Sequence, residues 1–346
     1  MKSIRVGVDL AKRVVQVHGV DRGERVVWRR QLKRGRWLQA LSEHLEAGGE
    51  VGMEACCGAH HWARELQSRG YRVKLMAPQF VKPYVKSNKN DGVDAEAICE
   101  AMSRPGMRFV SVKAVAQQDI QAMHRIRSEL VGQRTAKANQ IRGLVAEYGL
   151  VAPQQLSNLR ATMSDWLEDV ENGLTERFRR LLAGLWGDLR ELDRRVAELD
   201  AEIEEIAKSD PVAQRLQQLR GVGPMTATAL VATVGSAEQF AKGRDLAVSL
   251  GLTPKQHSTG GKECLLGISK RGDPYLRKLL VHGARSVIYH AQNKEDALSR
   301  WVLSLVARSH TNVASVALAN KTARIAWAMI RNGTDYEEKL AASPVA

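Results

Sequence analysis

The stretch IRVGVDLAKRVVQVHGVDRGERVVWRR, residues 4–30, decides the fold. It holds three short runs rich in β-branched residues, Ile4–Leu10, Val14–Val20 and Glu24–Arg30, separated by turn residues. Runs of this length and composition read as three strands of a meander. Working outward, apolar spacing predicts a helix over Trp37–Leu45, a strand over Glu50–Glu54 and a helix over Ala59–Gln67. A strand over Arg72–Met76 and a helix over Asp91–Met102 follow. The order β-β-β-α-β-α-β-α implies an α/β domain: a mixed sheet with helices on its faces.

Four acidic residues punctuate this domain: Asp9 in VGVDLAK, Glu54 in VGMEACC, and Asp91 with Asp94 in KNDGVDAEA. Asp9 and Glu54 end predicted strands. Asp91 and Asp94 are three apart at a predicted helix start and share one face. Any one of them alone reads as a cap or a salt-bridge partner. Together they are a like-charge cluster, which is costly unless a cation neutralises it. Hard divalent ions such as Mg²⁺ or Mn²⁺ take oxygen ligands. Two of them about 4 Å apart are a common device for cutting a phosphodiester. Glu96 and Glu100, further along the same helix, read as bystanders by spacing.

The 346 residues allow two or three domains, and the formal net charge is +14. Residues 1–110 and 220–346 each carry a net charge of +8, whereas residues 111–219 carry −2. Basic ends attract polyphosphates, although charge alone also fits an ordinary basic surface. The four cysteines, Cys56, Cys57, Cys99 and Cys264, form no Cys-x-x-Cys pair, so a disulfide framework is not expected and a reducing, cytoplasmic compartment is. Cys56-Cys57 followed by His60-His61 raises zinc, but structural zinc sites recruit a second, distant ligand pair. There is no apolar leader and no run of 18 apolar residues, so neither secretion nor a membrane span is expected.

The middle third has another period. Leu174, Phe178, Leu181, Leu185, Leu189, Leu192, Val196, Leu199, Ile203 and Ile206 form a heptad seam with one extra step near Leu185. Ile120, Met123, Ile126, Leu130, Ile141, Leu144 and Tyr148 suggest a partner helix. This helical coiled-coil middle pairs either within one chain or between two. Asp210-Pro211 and Asp273-Pro274 each read as a helix start, with Asp as cap and Pro in the first turn. Further helices are expected over Tyr275–Tyr289, Ala297–Arg308 and Asn312–Arg331, making the last third mostly helical. The expected boundaries are 1–110, 111–210 and 211–346.

Two segments of that last third could carry chemistry. LRGVGPMTATALVATVG, residues 219–235, has the look of a helix-hairpin-helix turn, in which Gly221 and Gly223 expose N–H groups to a phosphate. A tight turn inside a helical bundle needs similar residues. GLTPKQHSTGGKECLLGISKRGDPYLRKLLVHGAR, residues 251–285, places Ser258 and Thr259 in a glycine-bearing, flexible loop with Lys255, His257, Lys262, Lys270 and Arg271 nearby in sequence. A hydroxyl in such a cationic loop can attack phosphorus, and cations stabilise the charge that builds on the phosphate. Loop Ser and Thr also make local turns.

GVDLAK, VGMEACCGAHHWA, KSNKNDGVDAEAI, LRGVGPMTATALVA and the 251–285 segment occur in this order between residues 4 and 331. In this respect the chain resembles the DEDD transposases of the insertion-sequence-110 family, which includes the Piv invertases. The resemblance implies an RNase H/RuvC-like N-terminal domain with Asp9, Glu54, Asp91 and Asp94 as its metal-binding quartet. It implies that Ser258 is a nucleophile forming a covalent phosphoserine with DNA, quartet and serine coming from different subunits. Thr259 stands where many relatives carry a second serine, which favours Ser258. It further implies double-stranded donor and target DNA, a structured bridge RNA as guide, a homo-oligomer (dimer or tetramer), and a place beside the bacterial nucleoid. Two rival readings of the residues are a metal-only junction nuclease using water, and a non-catalytic nucleic-acid-binding scaffold. No RNA-recognition motif is legible, and four Phe, six Tyr and seven Trp offer limited base stacking.

Overall fold

A computed structural model describes residues 2–86, 91–152 and 154–337, with Asp91 described in its backbone only. The chain forms two compact units, residues 1–114 and 115–346.

The first unit is built on β1 (Ser3–Leu10), β2 (Val14–Val20), β3 (Val26–Lys33), α1 (Trp37–His44), β4 (Leu45–Glu54), α2 (Ala59–Ser68) and β5 (Arg72–Met76). α3 (Pro78–Val81), a short 3₁₀ turn (Lys82–Tyr84), α4 (Asp91–Ala101) and β6 (Phe109–Val110) complete it. The sheet order is β3-β2-β1-β4-β5-β6. The β1, β2, β3 meander is antiparallel, β1–β4 and β4–β5 are parallel, and β6 runs antiparallel to β5. The mixed sheet expected from the sequence is present. β6 was not foreseen, because two residues are too few to show a period.

Strand alternation divides the sheet into two faces. Val6, Val8, Val51, Met53 and Leu75 point one way and pack with Trp37, Leu41, Ala63 and Leu66 of α1 and α2. Gly7 and Gly52 point the other way, toward α4. A Cβ on Gly7 would lie 2.2 Å from the Ala95 carbonyl oxygen and 2.5 Å from the Cys99 nitrogen. On Gly52 it would lie 2.5 Å from the Met102 sulfur. These two glycines let α4 lie almost on the backbone of β1 and β4, where Ile98, Ala101 and Met102 close a second small core with Met76 and Val81.

The second unit begins with α5 (Val115–Ala146), α6 (Leu156–Glu168) and α7 (Glu176–Ser209). α5 and α7 pair antiparallel within the chain, fixed by ion pairs Arg127–Asp200, Arg134–Asp193 and Lys137–Asp188. The intramolecular alternative for the heptad seam therefore holds for these helices. Phe178, Leu182, Leu189, Val196 and Ile203 form the buried stripe of α7. Leu181, expected in the seam, is 61 % exposed and Leu182 takes its place. The reason is periodic: 182 lies seven before 189, on the buried stripe, and 181 lies a 100° step away from it. Ile126 of the expected partner stripe is exposed as well, while its neighbour His124 is buried. Tyr148 lies past the end of α5 and stacks on Phe178 at 4.3 Å. α6, which the sequence reading did not foresee, contributes Leu159 and Met163 to this core.

α8 (Pro211–Leu216), α9 (Pro224–Val234), α10 (Gly243–Ser249), β7 (Pro254–Gln256), β8 (Leu265–Ile268), α11 (Pro274–Tyr289), α12 (Ala297–Arg308) and α13 (Thr311–Asn332) follow. The two Asp-Pro starts behave as their chemistry dictates. Asp210 accepts from the Val212 and Ala213 N–H groups, and Asp273 from those of Tyr275 and Leu276. Among the described residues no helix is long and apolar enough to cross a membrane.

Candidate active site

The register of the first unit brings two of the predicted acids side by side. Val8 pairs with Met53 across the parallel β1–β4 ladder, so Asp9 and Glu54 come one step later on adjacent strands. Both share the parity of Gly7 and Gly52, so they project on the face that α4 covers. The close approach at Gly7 seats Ala95 over β1. It thereby delivers its neighbour Asp94 to the same end of the sheet. All three acids are half-buried.

The electrostatics agree with this placement. Burial pushes the Glu54 carboxyl above its ordinary value, and the charges of Asp9 and Asp94 push it further. The Cys56 thiol is likewise raised by burial, with Glu54 and Asp9 contributing. No lysine or arginine among the described residues forms an ion pair with Glu54 or Asp94. Glu96 and Glu100, two and six residues on, are different: Lys86 bridges both, and Arg104 also binds Glu100 at 2.6 Å. That pairing separates them from Glu54 and Asp94.

The described residues hold no ready-made cage of three His, Cys, Asp or Glu side chains around an ion. The side chain of Asp91, the fourth member expected from the sequence, lies outside the described residues. Three half-buried carboxylates whose charges oppose one another still suit a hard cation that keeps several of its waters. The Cys-His cluster suits zinc less well. Lys113 N–H donates to His60 Nδ1 at 3.2 Å and His61 packs edge-on against Trp62.

In the second unit, Ser258 sits on a β-hairpin rather than a flexible loop. β7 and β8 pair antiparallel, and Thr259 and Lys262 form a further bridge around Gly260-Gly261. Both glycines have positive φ, +56° and +80°, as a two-residue hairpin turn of primed type requires. The Cys264 N–H donates to Ser258 Oγ at 3.4 Å. Ser258, Thr259, Lys255, His257 and Lys262 are all exposed.

The base of this hairpin is tightly held. A Cβ on Gly251 would meet Arg271 O at 2.3 Å, and one on Gly272 would meet Ser249 O at 1.7 Å. Arg277 Nη1 donates to Leu250 O at 2.8 Å and to Arg271 O at 3.1 Å. Lys270 has φ +54°, uncommon for a residue with a side chain. Arg277 was missed in the sequence, where its place in PYLRK carried no sign of the carbonyls it binds. The GVG turn serves packing in part. Gly221 has φ +81°, and a Cβ on it would lie 2.7 Å from Gly283 O of α11. Gly223 precedes α9 with open space at its Cβ position.

The family described as "Transposase IS116/IS110/IS902 family" matches residues 213–300, and one described as "Transposase" matches residues 6–150. A "Probable family 20 transposase" of Pseudomonas aeruginosa is 50% identical over 340 residues, 97% of this chain and 99% of the relative. The chain belongs to the IS110/IS116/IS902 transposase family. The "Transposase for insertion sequence element IS1111A" of Coxiella burnetii is 45% identical, over 97% of this chain and 92% of its own length. The "Transposase for insertion sequence element IS1328" of Yersinia enterocolitica is 39% identical, over 96% and 98%. A member of this transposase family is an enzyme that cuts and rejoins DNA. The match over residues 6–150 spans the strands and α4 that carry the carboxylates, and the match over residues 213–300 spans the Ser258 hairpin.

Proposed function

We propose that this transposase cuts and rejoins double-stranded donor and target DNA through a phosphoserine intermediate. The observation that carries the reading is the convergence of Asp9, Glu54 and Asp94 on the α4 face of a mixed sheet, with a raised Glu54 carboxyl. Asp91, at the start of α4, completes the set in this proposal. These carboxylates would hold Mg²⁺ or Mn²⁺, and the bound ion would polarise a phosphate and offset its charge. Ser258 Oγ gives up its proton and attacks phosphorus; the Oγ–P bond forms, the P–O3′ bond breaks, and O3′ leaves as a hydroxyl. Attack by a 3′ hydroxyl of a partner strand reverses the step and joins it. The ester retains the bond energy, so no ATP is consumed.

The exposed hairpin supports the serine's role: it presents the hydroxyl away from the core on a base fixed by Gly251, Gly272 and Arg277. Lys255, Lys262, Lys270 and Arg271 grip phosphates beside it, and the turns at Gly221 and Gly223 add backbone N–H contacts. Carboxylates and serine act on one linkage, contributed by neighbouring copies of a homo-oligomer. A structured bridge RNA, encoded by the element, guides the choice of site. The reaction takes place at the nucleoid, in the cytoplasm.

Ser258→Ala tests the reading. Strand joining and the protein–DNA adduct should disappear while DNA binding persists. A variant that goes on cutting with Mg²⁺ would point to the water-using nuclease instead. Unchanged recombination by Asp94→Asn would point to a scaffold.

A further inference from the structure

Outside the carboxylates and the hairpin, a cavity of about 390 Å³ opens between the start of α10 and the last turns of α13, with residues 334–337 along one side. Ile325, Trp327, Met329 and Tyr336 give it an apolar, aromatic wall. Lys242, Arg244, Lys321 and Arg324 give it a cationic mouth. Gly243 is what brings the two helices together. A Cβ there would lie 3.0 Å from Arg324 O and 3.2 Å from its Cα, so Arg244 and Arg324 are held at one contact. The wall beside them is pinned: Arg215 Nη1 donates to Gly333 O at 2.8 Å, and Tyr336 N–H donates to Gln218 Oε1 at 2.8 Å.

The cations crowd one another. Burial lowers the Lys321 ammonium from its ordinary value and the charge of Arg324 lowers it further; burial and then Arg244 do the same to Arg324. No salt bridge among the described residues reaches Arg244 or Arg324. Neither acid of the lining forms an ion pair with Arg244 or Arg324. Asp335 accepts from Gln218 Nε2 at 3.0 Å, and Glu337 is exposed. Like charges gathered at the mouth of a partly closed cavity favour an anion, and guanidinium forks match phosphate oxygens. An aromatic wall favours a flat ring. The volume suits a single unit of both and excludes a duplex.

We propose that this cavity binds one nucleotide, its phosphate held by Arg244, Lys321 and Arg324 and its base against Trp327 and Tyr336. The source is either a residue of a single strand or a free nucleotide. The proposal does not depend on the serine or the carboxylates.

Equilibrium dialysis of the full-length protein with a labelled deoxynucleoside 5′-monophosphate tests it, alongside the deoxynucleoside, inorganic phosphate and a 5′-phosphorylated single-stranded ten-mer. The mononucleotide or the ten-mer should bind, with the deoxynucleoside and phosphate each at least tenfold weaker. Arg324→Gln should weaken binding at least tenfold at an unchanged melting temperature, and Ser258→Ala should leave it intact. Tyr336→Ala, past the end of α13, should weaken binding as a second lesion if Arg324→Gln fails to fold. A ten-mer far tighter than the mononucleotide assigns the cavity to a strand, and equal affinities assign it to a free nucleotide. Absence of binding by both, or binding indifferent to both Arg324→Gln and Tyr336→Ala, overturns the assignment.

Discussion

Replacing Gly7 by alanine should cripple the transposase without unfolding it. The added Cβ would sit 2.2 Å from the Ala95 carbonyl oxygen and 2.5 Å from the Cys99 nitrogen, and both are backbone atoms of α4 that cannot rotate away. Ordinary contact begins near 3.4 Å, so α4 must lift by about 1 Å from β1. Overpacking of this kind costs about 1–3 kcal/mol, which a domain stable by about 5–15 kcal/mol survives. Asp94 rides on the displaced helix, while Asp9 and Glu54 stay on the sheet. A misplacement of about 1 Å can cost roughly 100-fold in rate, so strand cutting in Mg²⁺ should fall by about that factor. The comparison is Gly52→Ala, whose Cβ meets the far end of Met102, a flexible side chain that can move aside. Its loss should be several-fold smaller. Cutting assays paired with thermal melts would decide. Full activity in Gly7→Ala, with an unchanged melting temperature, would refute the argument that α4 positions the third carboxylate.

Other expectations follow from charge. Glu54 has a raised carboxyl in the fold, so its contribution to stability is present below the ordinary carboxylate range and lost as pH rises through the folded value. Metal-free Glu54→Gln should therefore resist urea better than the parent at pH 7, with the difference fading in acid; an equal or lower midpoint at pH 7 would contradict this. His124 behaves oppositely. Thr228 Oγ1 donates to Pro224 O at 2.8 Å, so the bond pattern makes His124 Nε2 the donor to Thr228 and Nδ1 the acceptor from the Tyr275 hydroxyl, each at 3.0 Å. Burial, then Arg127, hold its value down at about 4, so stability present above about pH 6.5 is lost as pH falls toward 4. The second unit should lose about 2 kcal/mol between pH 7 and pH 5 by denaturant titration, and His124→Asn should flatten that dependence. Asp193→Ala removes the acceptor of two Arg160 bonds, at 2.8 and 2.6 Å, and of Arg134 at 3.4 Å, and should cost roughly 1–3 kcal/mol in the same titration.

Much of the first unit was legible because its signals are local. The β-branched runs gave β1 and β2 within a residue and put Asp9 and Glu54 at strand ends; the face they share comes from the β1–β4 register. That Gly7 and Gly52 admit α4 was not legible, since a glycine in a strand looks the same whether a helix or water lies above it. The heptad seam gave α7 but misassigned Leu181, because adjacent leucines differ only in which way the partner helix lies. The Asp-Pro starts of α8 and α11 were readable from side-chain chemistry alone. The hairpin around Ser258 was not: its strands have three and four residues, and only the Gly260-Gly261 pair hinted at the turn. The cluster of Arg244, Lys321 and Arg324 brings together residues some 80 apart, and no spacing rule reaches that far.

Denaturing capture of the reaction is the most direct measurement of the account. The transposase is incubated with donor and target DNA, the bridge transcript and Mg²⁺, then denatured and digested, and the modified peptide is located by mass spectrometry. The account predicts a nucleotide ester on Ser258 that is absent from Asp94→Asn. An ester on Thr259 or Ser269, or efficient recombination with no ester at all, would contradict it.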